Sequence, residues 1–348
     1  MSKTRPMAFV TAPGKIEFRE VPLPPVGPTD VQIKVRATTL CGSDLHIFRG
    51  LHPAVQLPIP VGHEIAGEVV HVGTAVSKVK VGDRVTVEPV IVCGSCHFCQ
   101  RGDYHLCANI SFQYRAGQGG LTTDFIASEQ WVHLLPDSVS DLSGALIEPL
   151  SVAVHAVGLS GLEIGEDVGI FGAGAIGLFI LQVVKAAGAG RIFITDIRDS
   201  RLDVAKALGA TAVLNGMNVN VVEEITSHTN GLGVQRTFEA VGLEATLIQS
   251  LHSLRKGGHA VLVGLFEKNQ ISIPANIFVQ KEISLTGSQG YHWDFQRAIS
   301  LVEAGNINLE SMVTHQFSLE KTQQAFEILE DPAQNSVKVA VQPSVNDR

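Results

Sequence analysis

Val168-Gly169-Ile170-Phe171-Gly172-Ala173-Gly174-Ala175-Ile176-Gly177 is an apolar, strand-like run that breaks into a G-x-G-x-x-G turn and leads into the helix-like stretch Leu178–Ala187. This spacing has a mechanism. The first glycine permits a tight turn, the second lets backbone approach a pyrophosphate, and the third lets the helix pack closely on the strand. Val168 to Val184 carries no charge, yet four glycines and Gln182 interrupt it, which suits a buried βα unit rather than a membrane helix.

Downstream, strand-like and helix-like runs alternate: Arg191–Thr195, Ser200–Gly209, Ala212–Leu214, Val234–Phe238, Glu244–Arg255, His259–Leu265 and Ile283–Thr286. Short connections between such runs predict a doubly wound parallel sheet with helices on both faces, an α/β fold. Asp196 lies 19 residues past Gly177, at the expected end of the second strand, where a carboxylate can accept hydrogen bonds from ribose hydroxyls. A carboxylate there repels a 2′-phosphate and favours NAD over NADP, while Arg198 and Arg201 are the residues that could neutralise such a phosphate.

Upstream the pattern is different. Val31, Ile33 and Val35 alternate with Gln32, Lys34 and Arg36, and the apolar runs Ile65–Val72 and Arg84–Val92 follow, separated by turns such as Val81-Gly82-Asp83. This predicts an antiparallel, barrel-like domain without long helices before about residue 140. The C-terminal part reads as helices at Trp293–Ala304 and Leu319–Leu329, then a strand at Val337–Val341.

The 348 residues are enough for two domains, and 26 basic against 34 acidic side chains give a net charge of −8. With no basic block there is no footprint for nucleic acid or an anionic membrane. The first thirty residues contain no apolar signal core, so a cytoplasmic location is expected. Four of the five cysteines form Cys93-x2-Cys96-x2-Cys99-x7-Cys107, a set able to wrap a tetrahedral structural zinc. An iron–sulfur cluster also takes four thiolates, but nothing else in the chain suggests electron relay. The fifth opens Cys41-Gly42-Ser43-Asp44-Leu45-His46, followed by Gly62-His63-Glu64, and thiolate, imidazole and carboxylate together suit a catalytic zinc with an open position.

These motifs, in this order and spacing across essentially the whole chain, resemble the zinc-containing medium-chain dehydrogenase/reductase superfamily, the zinc alcohol dehydrogenases. Glu88-Pro89, the stretch Ile147-Glu148-Pro149-Leu150-Ser151 and Val313-Thr314-His315 are similar to its sorbitol (L-iditol) dehydrogenase branch. The resemblance implies a GroES-like β-barrel catalytic domain over 1–156 and 291–348, carrying a structural zinc lobe at about 93–107, and a Rossmann NAD-binding domain over 157–290. It implies two zinc ions per chain, with Cys41, His63, Glu64 and Glu148 at the catalytic one, Glu148 either directly or through water. Ser43 is expected to contact the substrate hydroxyl and His46 to pass its proton outward. Gly172, Gly174, Ala175, Ile176, Gly177, Asp196, Arg201 and Val263 are expected to bind the cofactor. Phe48, Phe112, Tyr291 and Trp293 are candidates for the substrate wall, and Glu88 with Glu148 suits a substrate bearing several hydroxyls. The implied reaction is hydride transfer from a secondary hydroxyl of a polyol or vicinal diol to NAD, in a homo-oligomer, dimer or tetramer. The alternatives are an L-threonine dehydrogenase and, from another class, a catalytically silent NAD-binding sensor.

Overall fold

The computed structural model describes residues 3–52, 55–268 and 270–343. The chain divides into two units, 1–148 with 309–348, and 149–308. Against the expected boundaries at 156/157 and 290/291, the second unit also takes in most of the helix Ile147–Ser160 and the whole of the helix Phe295–Glu303. Hydrogen bonds account for this: His155 pairs with Asp294, the Ser160 carbonyl meets His259, and the Asn308 amide donates to Gln182.

The second unit is built on six parallel strands, β1 (Val168–Phe171), β2 (Ile192–Asp196), β3 (Ala212–Asn215), β4 (Val234–Glu239), β5 (Leu254–Leu262) and β6 (Ser284–Gly287). They lie in the order 3-2-1-4-5-6. Consecutive residues of β1 are all buried, so both faces of the sheet are covered, as the unbroken apolar runs require. The strand order reverses between β1 and β4, and a crevice for a dinucleotide opens at the carboxyl ends of the strands at such a switch point. β5 begins at Leu254, where the sequence pattern predicts helix, because Leu254 pairs with Val234. The short helix Val221–His228 escapes the periodicity but is capped by Asn220, whose side-chain Oδ1 accepts from the amides of Val222 and Glu223.

In the first unit the strand Asp30–Thr39 is central, pairing with Glu64–Val72, Asp124–Ser128 and the C-terminal strand Lys338–Gln342 within a seven-stranded sheet. Val31, Ile33 and Val35 are buried, as their alternation requires. Gln32, expected on the outer face, is also buried, since the neighbouring strand covers it and Asp124 accepts its amide at 2.8 Å. The predicted strand Arg84–Val92 is split into Arg84–Val87 and Val90–Ile91 at Glu88-Pro89, where proline has no N–H to give a ladder.

That interruption turns Glu88 inward. Its carboxylate is buried and accepts the Tyr104 hydroxyl at 2.8 Å, while His133 Nε2 lies 2.8 Å from its other oxygen. Tyr104 sits in the four-cysteine loop and His133 in the strand Val132–Leu134, so Glu88 fastens the loop to the sheet and is not among the residues gathered around Cys41. Among the described residues no helix is long and apolar enough to cross a membrane. Glu88→Ala takes this acceptor from the buried Tyr104 hydroxyl and the half-buried His133 and is expected to destabilise the protein by about 1–3 kcal/mol in denaturant unfolding, with faster loss of lobe zinc to a chelator. Wild-type stability in that variant would show that the contact holds nothing.

Candidate active site

Cys41 ends the strand Asp30–Thr39 by one residue's gap and begins the helix Gly42–Phe48. The geometry of this corner depends on Asp44, which is fully buried. One oxygen accepts the Cys41 amide at 3.0 Å, and the other accepts the Gly62 amide at 3.1 Å and faces His63 Nδ1 at 3.3 Å. Asp44 thus joins the two separate sequence motifs. Its contact at Nδ1 leaves His63 Nε2 as the ligating nitrogen, the usual way a carboxylate orients a metal-binding imidazole. Burial opposes ionisation of Asp44, but the charge and hydrogen bond of His63 and the two amides outweigh it and hold the carboxyl below its usual range. Burial likewise opposes a charge on His63, yet Asp44 and then Cys41 raise its pKa well above the ordinary value.

The ligating atoms of Cys41, His63 and Glu64 all lie within 4.8 Å of one another. His63 and Glu64 are buried and Cys41 is half-buried. Sulfur, nitrogen and oxygen donors in that arrangement fit a zinc ion with one position left for a ligand. Glu148 is buried but stands outside this 4.8 Å set; its charge is felt at Lys338.

Lys338 is the residue that sequence reasoning missed. It is buried on the C-terminal strand, donates to both oxygens of Glu64, at 2.6 and 2.5 Å, and to the Leu40 carbonyl at 3.0 Å. The Thr39 hydroxyl also donates to Glu64. Burial alone would lower the lysine's pKa, but Glu64, Cys41 and Glu148 together raise it. A lone lysine near the C-terminus carries no sequence signal; only the pairing of its strand with Asp30–Thr39 brings it beside residues nearly 300 positions earlier.

Ser43 and His46 are half-buried and three residues apart on the helix Gly42–Phe48, hence on one face. Of the proposed wall residues, Phe112 stands 6.5 Å from the His63 ring; it stacks at 5.6 Å on Tyr114, which sequence reasoning did not single out and which lies 6.1 Å from the same ring. Phe48 and Tyr291 are core instead, packed on Phe326 and Phe295 at 5.0 and 5.1 Å.

The sulfurs of Cys93, Cys96, Cys99 and Cys107 also lie within 4.8 Å of one another, with Cys93 3.5 Å from Cys107 and 4.0 Å from Cys99. Tetrahedral bonds of 2.3 Å to zinc would space the sulfurs about 3.8 Å apart, so the set fits zinc and not a disulfide. The amides of Ser95 and Cys96 bring the Cys93 thiol down to about 6, whereas burial and neighbouring thiols push Cys99 up to about 12. Four sulfurs this close cannot all ionise without a cation between them.

In the second unit Gly172 adopts φ +108, and a β-carbon on Gly177 would lie 1.8 Å from the Gly172 carbonyl oxygen, so the turn admits only glycine at both places. Ala175 and Ile176 open the helix Ala175–Ala186, with its amino end facing the turn. Asp196 ends β2; it accepts the Ala173 amide at 2.8 Å and those of Ile197 and Arg198 at 2.8 and 3.0 Å. Its carboxylate therefore braces the glycine loop. Arg201 lies 3.9 Å from Asp196 and within 3.7 Å of where a Gly174 β-carbon would be, and Val263 follows β5, held by the Glu239 carbonyl at 2.9 Å. Glu239, which the sequence reading did not single out, is a buried acceptor for the amides of Val241 and Gly242.

Residues 27–137 match the alcohol dehydrogenase GroES-like domain, and residues 175–304 match the zinc-binding dehydrogenase domain. Sorbitol dehydrogenase of Bacillus subtilis is 38% identical over 334 residues, 95% of each chain. The chain belongs to the zinc-containing medium-chain dehydrogenases, in the sorbitol dehydrogenase-like branch. The fold of this dehydrogenase is shared with the crystal structure of 2R,3R-butanediol dehydrogenase from Bacillus subtilis, at a TM-score of 0.90 and 33% identity, covering 98% of this chain and all of that one. It is also similar to a zinc-binding dehydrogenase from Sinorhizobium meliloti bound to NADP, at a TM-score of 0.92 and 30% identity, covering 98% of this chain and all of that one.

Lys338→Met removes the counter-charge of a buried carboxylate and is expected to cost about 3–5 kcal/mol of stability, read by denaturant unfolding. The raised pKa of His63 sets a second expectation. Below that value zinc must displace a proton from the imidazole, so zinc affinity of the metal-free dehydrogenase should fall by about tenfold or more per pH unit on acidification and level off above it, measured with a competing chelator.

Proposed function

We propose that this dehydrogenase oxidises a secondary hydroxyl of a polyol or vicinal diol with NAD, giving a ketose or hydroxyketone. The observation that carries the reading is the Cys41, His63 and Glu64 set within 4.8 Å, in a chain that also holds a glycine loop braced by Asp196 at the end of β2. The named activities of the similar sorbitol and butanediol dehydrogenases support the substrate class.

Cys41, His63 and Glu64 would hold the catalytic zinc, with Glu148 reaching it through water, and Cys93, Cys96, Cys99 and Cys107 would hold the structural one. Zinc in the catalytic site supplies Lewis acidity that favours ionisation of the substrate hydroxyl. Ser43 Oγ takes up the hydroxyl proton as it gives up its own, and the His46 imidazole on the same helix face passes a proton to solvent. Lys338 and Asp44 fix Glu64 and His63, so that the site needs no rearrangement as charge develops. On the cofactor side, Asp196 would bind the ribose hydroxyls and disfavour a 2′-phosphate, with Arg201 close to it tempering the repulsion. The domains would follow the two units described, the protein acting in the cytoplasm as a homo-oligomer.

A panel of polyols, diols, propan-2-ol and L-threonine assayed with NAD and NADP tests the reading. A polyol or diol should exceed propan-2-ol in kcat/KM by up to about 10⁴, since a site built for hydroxyls rejects substrates lacking them. Asp196→Ala should collapse an NAD preference of about 100-fold. His46→Gln should lower kcat at neutral pH by about 10–100-fold, with partial rescue by imidazole. Preference for L-threonine, or equal rates with propan-2-ol and the best polyol, would contradict the substrate assignment.

A further inference from the structure

The described arginines of the first unit are engaged, with one exception. Arg36, Arg49, Arg84 and Arg101 pair with Glu68, Glu330, Asp141 and Asp103, Arg5 donates to Gln118 and to the Asp124 carbonyl, and Arg19 lies over the Phe9 ring. Arg115 is exposed and has neither an ion pair nor a hydrogen bond among the described residues. The chain carries 34 acidic side chains, and none of those described meets this guanidinium.

Arg115 borders a cavity of about 370 Å³ whose lining includes Val55, Gln56, Pro58 and Tyr114, all within the first unit. Mostly apolar walls with a few polar groups, at that volume, are the make-up of a small-molecule site. Tyr114 ties the cavity to the candidate metal set, its ring lying 6.1 Å from that of His63. Pro60, also in the lining, stands three positions before His63. The charge gathered here is one-sided. Burial first, and then the charges of His46 and Arg115, hold the His52 imidazole below its ordinary pKa. Asp44 opposes them, but its oxygens already serve the Cys41 and Gly62 amides and His63.

Burial also pushes the Tyr114 phenol above its ordinary pKa, so it keeps its proton and remains a donor. Guanidinium, phenol and the Gln56 amide thus give the cavity three donor groups and a fixed positive charge. A carboxylate offers two oxygens and one charge, whereas a phosphate monoester offers three terminal oxygens and nearly two charges at neutral pH.

We propose that this cavity takes an anionic end group of the substrate, with Arg115 as its specificity-determining residue, and that the polyol oxidised is a phosphate monoester. The inference rests on the polyol reading above and narrows it: a secondary hydroxyl goes to the metal set, and the ester phosphate goes to Arg115, Tyr114 and Gln56.

A polyol, its terminal phosphate monoester and the corresponding polyhydroxy acid, each assayed with NAD, test it in the wild type, Arg115→Gln and Arg115→Lys. In the wild type kcat/KM for the ester should exceed that for the parent polyol by about 100-fold. Arg115→Gln should lower this ratio by about 10–100-fold, chiefly through KM, the worth of a charge-assisted hydrogen bond. Arg115→Lys should restore part of it, since lysine keeps the charge without the planar fork. Added without NAD, the ester should raise the melting temperature of the wild type and not that of Arg115→Gln. A wild-type ratio near or below one, a ratio unchanged in Arg115→Gln, or preference for the polyhydroxy acid would overturn the inference and leave the polyol reading standing. A wild-type enzyme that oxidises neither polyol nor ester would overturn both.

Discussion

Charges buried in a protein have to be balanced where they stand, and the candidate metal site is organised by that constraint. A thiolate, an imidazole and a carboxylate within 4.8 Å of one another would not persist as bare groups in a low dielectric. The chain meets this with two opposite devices. Asp44 presents negative charge to His63, and Lys338 presents positive charge to Glu64. Each is itself held by backbone, Asp44 by the amides of Cys41 and Gly62, and Lys338 by the carbonyl of Leu40. The ligand set is thus tied to the strand Asp30–Thr39, the helix after it and the C-terminal strand.

Buried carboxylates recur as fasteners elsewhere. Glu88 ties the four-cysteine loop to the sheet through Tyr104 and His133. Asp196 and Glu239 gather the amides of the loops after β1, β2 and β4 at the carboxyl edge of the parallel sheet. Asp294 gathers His155, His292 and Arg297 around the turn after β6. In each case a loop is fixed by an acidic side chain whose acceptors meet donors that a buried turn would otherwise leave unpaired.

Much of this was legible in the chain, for reasons that differ by element. Gly172, Gly174 and Gly177 mark a turn because only glycine fits the backbone there, and short apolar runs mark a parallel sheet because both its faces are buried. Four cysteines in fifteen positions mark a metal lobe because thiolates seldom crowd for any other purpose. Lys338 was not legible, since its role arises from a pairing between distant strands, and a single basic residue in an apolar strand reads as an edge charge. Glu88 was legible as a carboxylate but not as a fastener, because nothing local shows that Tyr104 and His133 converge on it. The left-handed backbone of the exposed Trp293, at φ +59, is invisible in sequence, where a tryptophan before an aspartate carries no sign of its backbone angle.

Two distinct zinc sites are proposed for this one chain, the catalytic one on Cys41, His63 and Glu64. Anomalous diffraction at the zinc edge from crystals of the purified enzyme tests this most directly. Two peaks per chain are expected, one among Cys93, Cys96, Cys99 and Cys107, and one about 2.0–2.3 Å from Cys41 Sγ, His63 Nε2 and a Glu64 oxygen. A single peak in the four-cysteine lobe, with Glu64 bound to Lys338 and no metal beside His63, would contradict it.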